Sequence, residues 1–275
     1  MKDREKILGS LRLTGSTRNR IDLSKYKTDM TKGVAGKDVA REKLAEEVRK
    51  IDILQRKLYA EAKNGLLVVF QAMDTGGKDG VIRKVFGPLN PQGVTVASFK
   101  RPNPKELSHD YLWRIHPLVP ARGMIRVFNR SHYEDVLVHQ VHALLPESVL
   151  KERYRQINDF ERYLGENGIA VIKFFLHISK EEQKSRLESR LKDPNKRWKF
   201  EPGDLAERKF WDKYQEAYSQ VMGKCATPAA PWYVIPADNK WYRDLLVAEI
   251  IKARLEEFKP SYPAEQPGLD QLTVD

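Results

Sequence analysis

At 275 residues the chain is long enough for one large α/β domain or two small ones with a sizeable core. Its 49 Lys and Arg against 38 Asp and Glu leave a formal charge of +11, which suits a polyanionic partner but does not choose among nucleic acid, nucleotides, anionic lipid and inorganic polyphosphate. A single cysteine, Cys225, excludes an internal disulfide framework; residues 1–10 lack the apolar core of a signal peptide, and no apolar run is long enough to span a membrane, so a cytoplasmic protein is expected.

Residues 1–36 are polar without a sustained period and read as an extended arm, either packed onto the body through Ile21, Leu23 and Tyr26 or left as a partly mobile tail. From about residue 37 to 63, Leu44, Val48, Ile51, Leu54, Leu58 and Ala62 recur at three- and four-residue steps, the pattern of an amphipathic helix with a scaffold or dimer-contact role. Residues 66–70 are continuously apolar and rich in β-branched side chains, as in a strand covered on both faces of a parallel sheet. The strand runs into A-M-D-T-G-G-K-D-G, from Ala72 to Gly80. Gly76, Gly77 and Gly80 permit the backbone N–H groups to turn toward an anion, and Lys78 supplies a point charge where a helix begins. Compared with G-x-x-x-x-G-K-[ST], Ala72 replaces the first glycine and Asp79 the hydroxyl residue. Without that hydroxyl, a carboxylate, Asp74 or Asp79, has to help hold a metal.

A second β-type run at 93–97 leads into Ser98, Phe99, Lys100, Arg101 and Pro102, at the edge where α/β folds place ligands. Pro104 opens a helical stretch that carries Leu107, Tyr111, Leu112 and Trp113 toward the core. A third strand at 123–128 ends in Asn129, Arg130, Ser131, His132, Tyr133, Glu134 and Asp135, where Arg130 is placed to reach a phosphate. Ser131 and Glu134 are also spaced as a helix capping box, which would account for both without chemistry. A helix from about 148 to 164 precedes a fourth strand at 169–178, and Ser179 with Glu182 forms a capping box for the next helix, which bears Lys184, Arg186 and Arg190. Lys196, Arg197, Trp198, Lys199 and Phe200 then lie between Pro194 and Pro202, a basic aromatic segment read as a lid spanning about 186–207. Asp204 begins a helix with Leu205, Phe210, Trp211, Tyr214 and Tyr218 as a core stripe. A fifth strand at 232–236 leads to Asn239 and Lys240, candidates to border a nucleotide base, and to a last helix at 241–258; a loose tail begins at 260. Strands alternating with helices make this a parallel α/β domain over 37–259.

A-M-D-T-G-G-K-D-G, S-F-K-R-P, H-D-Y-L-W-R-I-H, F-N-R-S-H-Y-E-D-V-L-V and K-D-P-N-K-R-W-K-F-E-P-G-D-L, in this order and approximate spacing, resemble the family-2 polyphosphate kinases across about residues 37–258. The resemblance implies a three-layer phosphate-loop (P-loop) kinase fold, similar to thymidylate kinase, with a parallel central sheet, a helical lid and an N-terminal helical extension. It implies transfer of a phosphoryl group from inorganic polyphosphate to AMP and ADP, forming ADP and ATP, with guanine nucleotides as further candidates. Mg2+ is the implied cofactor, with Mn2+ as the alternative, and a homo-oligomer the implied state. By the same resemblance Asp74 and Lys78 are the loop's functional pair, Arg130 the arginine after the third strand, and Arg186 and Arg190 the lid arginines. Arg83, Lys84, Lys100 and Arg101 would line a channel for the polymer. Asn129 and Glu134 match the class III members, which use both AMP and ADP, and the second metal ligand is then Glu134 or Asp135. Two other readings share the features. An ATP-dependent nucleoside monophosphate kinase predicts a hydroxyl where Asp79 stands. A non-catalytic polyanion- or RNA-binding protein fits the charge but not the four carboxylates Asp74, Asp79, Glu134 and Asp135.

Overall fold

The computed structural model describes residues 2–15, 20–269, 272 and 274, without the side chains of Lys2, Lys199 and Pro202. Helix α1 (Lys2–Leu11) and the short strand β1 (Arg12–Leu13) come first, where an extended arm is predicted. The period is hidden because, among the described side chains of α1, only Ile7 and Leu11 are buried, and Arg4 anchors the helix through a fork to Glu249 with N–O distances of 2.6–2.9 Å. The arm then packs as expected at Ile21, whose N–H donates to Ser219 O at 3.1 Å.

Helix α2 (Lys37–Glu61) ends on Ala62 in a left-handed conformation (φ 52°), and strand β2 (Gly65–Ala72) comes next, buried at every position. Helix α3 (Lys78–Val85), β3 (Val94–Ser98), the single turn α4 (Pro104–Leu107) and β4 (Ile125–Asn129) continue the alternation. After them come α5 (Glu134–Val141), α6 (Glu147–Glu166), β5 (Ile169–His177), α7 (Lys180–Lys192), α8 (Pro202–Arg208), α9 (Trp211–Cys225), β6 (Trp232–Pro236) and α10 (Lys240–Glu257). The sheet order is β1-β6-β5-β2-β4-β3; β1 runs antiparallel to β6, and every other pairing is parallel. The connection from β2 leaves toward the β3 edge and that from its neighbour β5 toward the β1 edge, so the direction of the connections reverses beside β2, and a crevice opens beyond its C-terminal end. Phe70 of β2 stacks on Phe174 of β5 with ring centroids 5.1 Å apart, so the reversal sits on a packed aromatic core.

Three local expectations are corrected. Leu107 (67 % exposed) and Trp113 lie outside the core, because the stretch after Pro104 is one capped turn and not a helix long enough to bury a stripe. The stripe from Leu205 to Tyr218 is split between α8 and α9: Leu205 is exposed while Trp211 and Tyr218 are buried. Ser179 does accept from Glu182 N at 3.1 Å, but its own N–H donates to Asp238 at 2.9 Å while the Glu182 carboxylate takes Arg186, so half of the capping box forms. Cys225 is buried, and burial pushes its thiol up to about 12, which suits an inert residue.

Beneath the end of β4 lies a fully buried ionic cluster. The Lys173 ammonium bonds the Glu161 carboxylate, the Tyr133 hydroxyl at 2.9 Å and the Cys225 carbonyl at 2.8 Å. Glu161 also accepts from Tyr133 Oη at 2.8 Å and lies 3.2 Å from His132 Nε2. Burial alone would raise the Glu161 pKa, but Lys173 and His132 outweigh it and hold the carboxylate ionised. The cluster fixes Tyr133, and hence the polar residues on either side of it, to β5.

Candidate active site

The glycine loop links β2 to α3 at the point of reversal. Thr75 (φ 62°) and Gly77 (φ 98°) both adopt positive φ, and Gly76 N–H donates to Met73 O at 2.9 Å, so the chain curls tightly before the helix starts at Lys78. A Cβ at Gly76 would lie 2.8 Å from Met73 O, so the curl requires glycine there. Lys78 folds back over the curl and donates to Ala72 O at 3.0 Å. The residue is half-buried as a whole, but its ammonium is enclosed; burial, and then the neighbouring Arg130 charge, push it down to about 8 against the pull of Asp74, Glu134 and Asp79.

Arg130, directly after β4, also has a positive φ (63°), and its N–H donates to Phe70 O at 3.1 Å. That turn points the guanidinium at Asp74, with Nη2 3.0 Å from Oδ1. Burial opposes the Arg130 charge, yet Glu134 and Asp74 more than compensate and raise its pKa. The capping box predicted for Ser131 and Glu134 does not form: Ser131 Oγ accepts from Tyr133 N at 3.1 Å, and Glu134 accepts from Gln71 Nε2 at 3.0 Å. Glu134 therefore faces the loop and not its own helix terminus. Asp135 points elsewhere, 3.7 Å from Arg153 and 3.9 Å from Arg114, and burial raises its pKa in spite of both.

Asp74, Arg130, Glu134 and Asp135 line one cleft of about 1260 Å³, whereas Lys78 and the loop glycines are not among its lining residues. It brings together Asp74, Lys100, Arg101, Arg130, Glu134 and Asp135, all singled out from the sequence. Asp79, Arg83 and Asn129 line a separate, smaller hollow instead, where Asn129 Nδ2 donates to Asp79 Oδ1 at 2.8 Å. Lys84 is exposed on the last turn of α3 and borders neither space. Arg186 is buried and acts as a staple. It donates to Thr75 O at 3.0 Å and to Ala237 O at 2.6 Å, tying the glycine loop to the end of β6. Arg190 lies 3.7 Å from Asp204, which lines the cleft from α8. The Lys199 side chain lies outside the described residues. Trp198 of the predicted lid is 77 % exposed, and Nε1 donates to Asn195 O at 3.0 Å. Asn239 Nδ2 donates to Asp29 O at 3.1 Å, and Lys240 opens α10.

Sequence reading missed several neighbours. Gln183 Nε2 holds Asp74 O at 3.1 Å, and Arg208 in turn holds Gln183 Oε1 at 2.6 Å, a chain from α8 through α7 to the loop. Gln71 had a signal: it is a polar residue at the end of a strand buried throughout, and such a residue needs a partner. Arg114 lies in the H-D-Y-L-W-R-I-H stretch without a role assigned from it, and Arg153 carried no signal, because both approach Asp135 from distant segments.

A parallel sheet that reverses at a lysine-bearing glycine loop, with an arginine and carboxylates gathered at the next strand's end, defines a phosphate-loop kinase. The chain belongs to the polyphosphate kinase 2 family: the family model described as polyphosphate kinase 2 (PPK2) matches residues 34–263. It is 49 % identical over 257 residues to the AMP/ADP-polyphosphate phosphotransferase of Meiothermus ruber, covering 93 % of this chain and 96 % of that one. It is 42 % identical over 261 residues to the ADP-polyphosphate phosphotransferase of Rhodopseudomonas palustris, covering 90 % of each. Among solved structures, a polyphosphate kinase 2 from Arthrobacter aurescens superposes with a TM-score of 0.90 at 43 % identity, covering 94 % of this chain and 92 % of that one.

The titration of the Lys78 ammonium is open to test. Below about pH 8 it is charged, and above that value it loses the proton, so its contribution to anion binding declines as pH rises. Titration calorimetry with inorganic tripolyphosphate in the absence of metal is expected to show affinity falling between pH 7.5 and 9.5 by about tenfold more than in Lys78→Arg, whose guanidinium keeps its charge. Parallel pH profiles for the two proteins would show that Lys78 is not the titrating group.

Proposed function

We propose that the protein transfers a phosphoryl group from inorganic polyphosphate to AMP and to ADP, forming ADP and ATP. The observation that carries the reading is the convergence of Lys78, Asp74, Arg130 and Glu134 at one end of the sheet, with Asp79 in place of the hydroxyl expected of ATP-dependent relatives. The substrates are inferred from the Meiothermus ruber relative, named for both nucleotides.

An oxygen on the acceptor's terminal phosphate attacks the end phosphorus of the polymer in line; the bond from that phosphorus to the bridging oxygen breaks, and the shortened polymer leaves with the electron pair. A phosphate oxygen at neutral pH needs no strong base, so catalysis is positioning and charge neutralisation. The glycine-loop N–H groups and Lys78 seat the phosphates, and Arg130 neutralises the transferring oxygens while Asp74 holds its fork in place. Mg2+ characteristically takes one or two carboxylates with phosphate oxygens completing its shell. Asp74 and Glu134, lining the same cleft, fit that demand, and no group of three or more His, Cys, Asp or Glu suited to a metal exists among the described residues. Asp135 fits it poorly, turned as it is toward Arg114 and Arg153. When bound there, the ion would neutralise charge on donor and acceptor oxygens.

Purified protein with Mg2+ and long-chain polyphosphate, given AMP or ADP in separate reactions, is expected to form ATP from both, as followed by chromatography. Lys78→Ala should lower both rates about a hundredfold to a thousandfold. Phosphate transfer to a monophosphate from ATP alone would replace this reading with the ATP-dependent kinase, and inactivity with either donor would favour a polyanion-binding protein.

A further inference from the structure

Arg243, near the start of α10, is 2 % exposed. Its Nε and Nη2 donate to Asp244 Oδ1 at 2.9 and 2.6 Å, while the buried Nη1 has no hydrogen-bond partner. The guanidinium lies against the glycine loop: a Cβ at Gly77 would overlap Nη1, and one at Gly80 would sit 3.3 Å from Nη2. Two of the loop's glycines thus leave room for an arginine behind the curl as well as for an anion in front of it.

A second cation crowds the same point: Arg186 Nη1 lies 3.5 Å from where a Gly77 Cβ would stand. The carboxylates that meet the two guanidiniums are Asp244, bound to Arg243, and Glu182, bound to Arg186 at 2.7 Å, and neither reaches Arg243 Nη1. Burying an incompletely bonded guanidinium costs stability that packing does not return, since an apolar side chain would fill the space without it. An anion on the other face of the loop would offset that cost.

We propose that Arg243 is the positioning residue of the donor-phosphate seat: wedged behind Gly77 and Gly80, it holds the loop N–H groups in their curl and sets a fixed positive charge behind them. The inference rests on the proposed function, in which the loop seats phosphates, and takes the phosphates seated there to be the donor's. Its consequence is selective, because the acceptor and the transferring oxygens are held by Arg130 beside Asp74 in the cleft, which Arg243 does not line. Loss of Arg243 weakens the donor and spares the acceptor.

Two variants test this by steady-state kinetics with tripolyphosphate and ADP. Arg243→Lys keeps the charge and loses the fork; the KM for tripolyphosphate is expected to rise about fivefold, with the KM for ADP within about twofold of wild type. Arg243→Met combined with Asp244→Asn removes the charge without leaving a buried carboxylate unpaired, and should raise the donor KM about tenfold to a hundredfold, again sparing ADP. Equal rises in both KM values, or an unchanged donor KM, would overturn the proposal, and Arg243→Lys alone decides it if the double variant does not fold. Wild-type turnover with ATP but not tripolyphosphate would overturn the functional reading only, and the donor selectivity would then be read on ATP.

Discussion

Arg130→Ala is expected to lower kcat by about a thousandfold or more, the effect of removing an arginine that stabilises charge on a transferring phosphoryl group. The backbone supports the assignment. A non-glycine residue at φ 63° carries a conformational cost of about 1 kcal/mol or more, and here that turn aims the side chain into the cleft at Asp74, 3.0 Å away. Arg130→Lys should recover only part of the rate, because an ammonium keeps the charge but not the planar fork. Arg83, exposed and lining the other hollow, provides the contrast: Arg83→Ala should change kcat by less than about threefold. Single-turnover measurements of ATP formation separate these cases, and a loss below about tenfold for Arg130→Ala would remove Arg130 from the chemical step.

The largest effect on stability is expected at Lys173. Lys173→Met leaves the Glu161 carboxylate buried with Tyr133 and His132 alone, and breaking a buried pair from one side costs about 3–5 kcal/mol. For a chain of this size the melting temperature should fall by about 10 °C. Adding Glu161→Gln removes the stranded charge but keeps an acceptor for the Tyr133 hydroxyl, so the double variant is expected to regain at least half of the loss. Thermal denaturation of the three proteins decides the matter; a single variant within about 1 kcal/mol of wild type would show that the cluster is dispensable. Activity should track the structure, since Tyr133 stands between Arg130 and Glu134 in the chain.

The parallel sheet was legible because each β-strand from β2 to β6 is a short run rich in apolar residues bounded by turn residues, an apolar character that reflects burial in β2 and β5 above all and is weakest in β3, the half-exposed edge strand. The glycine loop was legible for a related reason: its residues act on one another within a few positions. Gly76, Gly77 and Lys78 form the curl by local geometry, and Asp74 lies in the same stretch. Arg130 was within reach as the polar residue that ends an apolar strand. Helix α1 was not, because it brings only Ile7, Leu11 and a half-buried Leu8 of its described residues to the core and is anchored by Glu249, far along the chain. Ser131 and Glu134 had a local explanation that fits their spacing, and only the proximity of Gln71 on the neighbouring strand shows where the carboxylate turns.

Segment-level order therefore came from periodicity and from glycine placement, both short-range effects that any stretch of chain expresses alone. Partners across the sheet came from packing. Arg186 looked like a mobile lid cation and is a buried staple between Thr75 and Ala237; Arg243, in the first turns of the last helix, showed no sign of lying against Gly77. The Arg186 guanidinium takes acceptors more than fifty positions away, and Arg243, bound to its own neighbour Asp244, packs against a loop still farther off in the chain. Those placements are settled by burial and charge once the sheet has assembled, and no spacing within one segment records them.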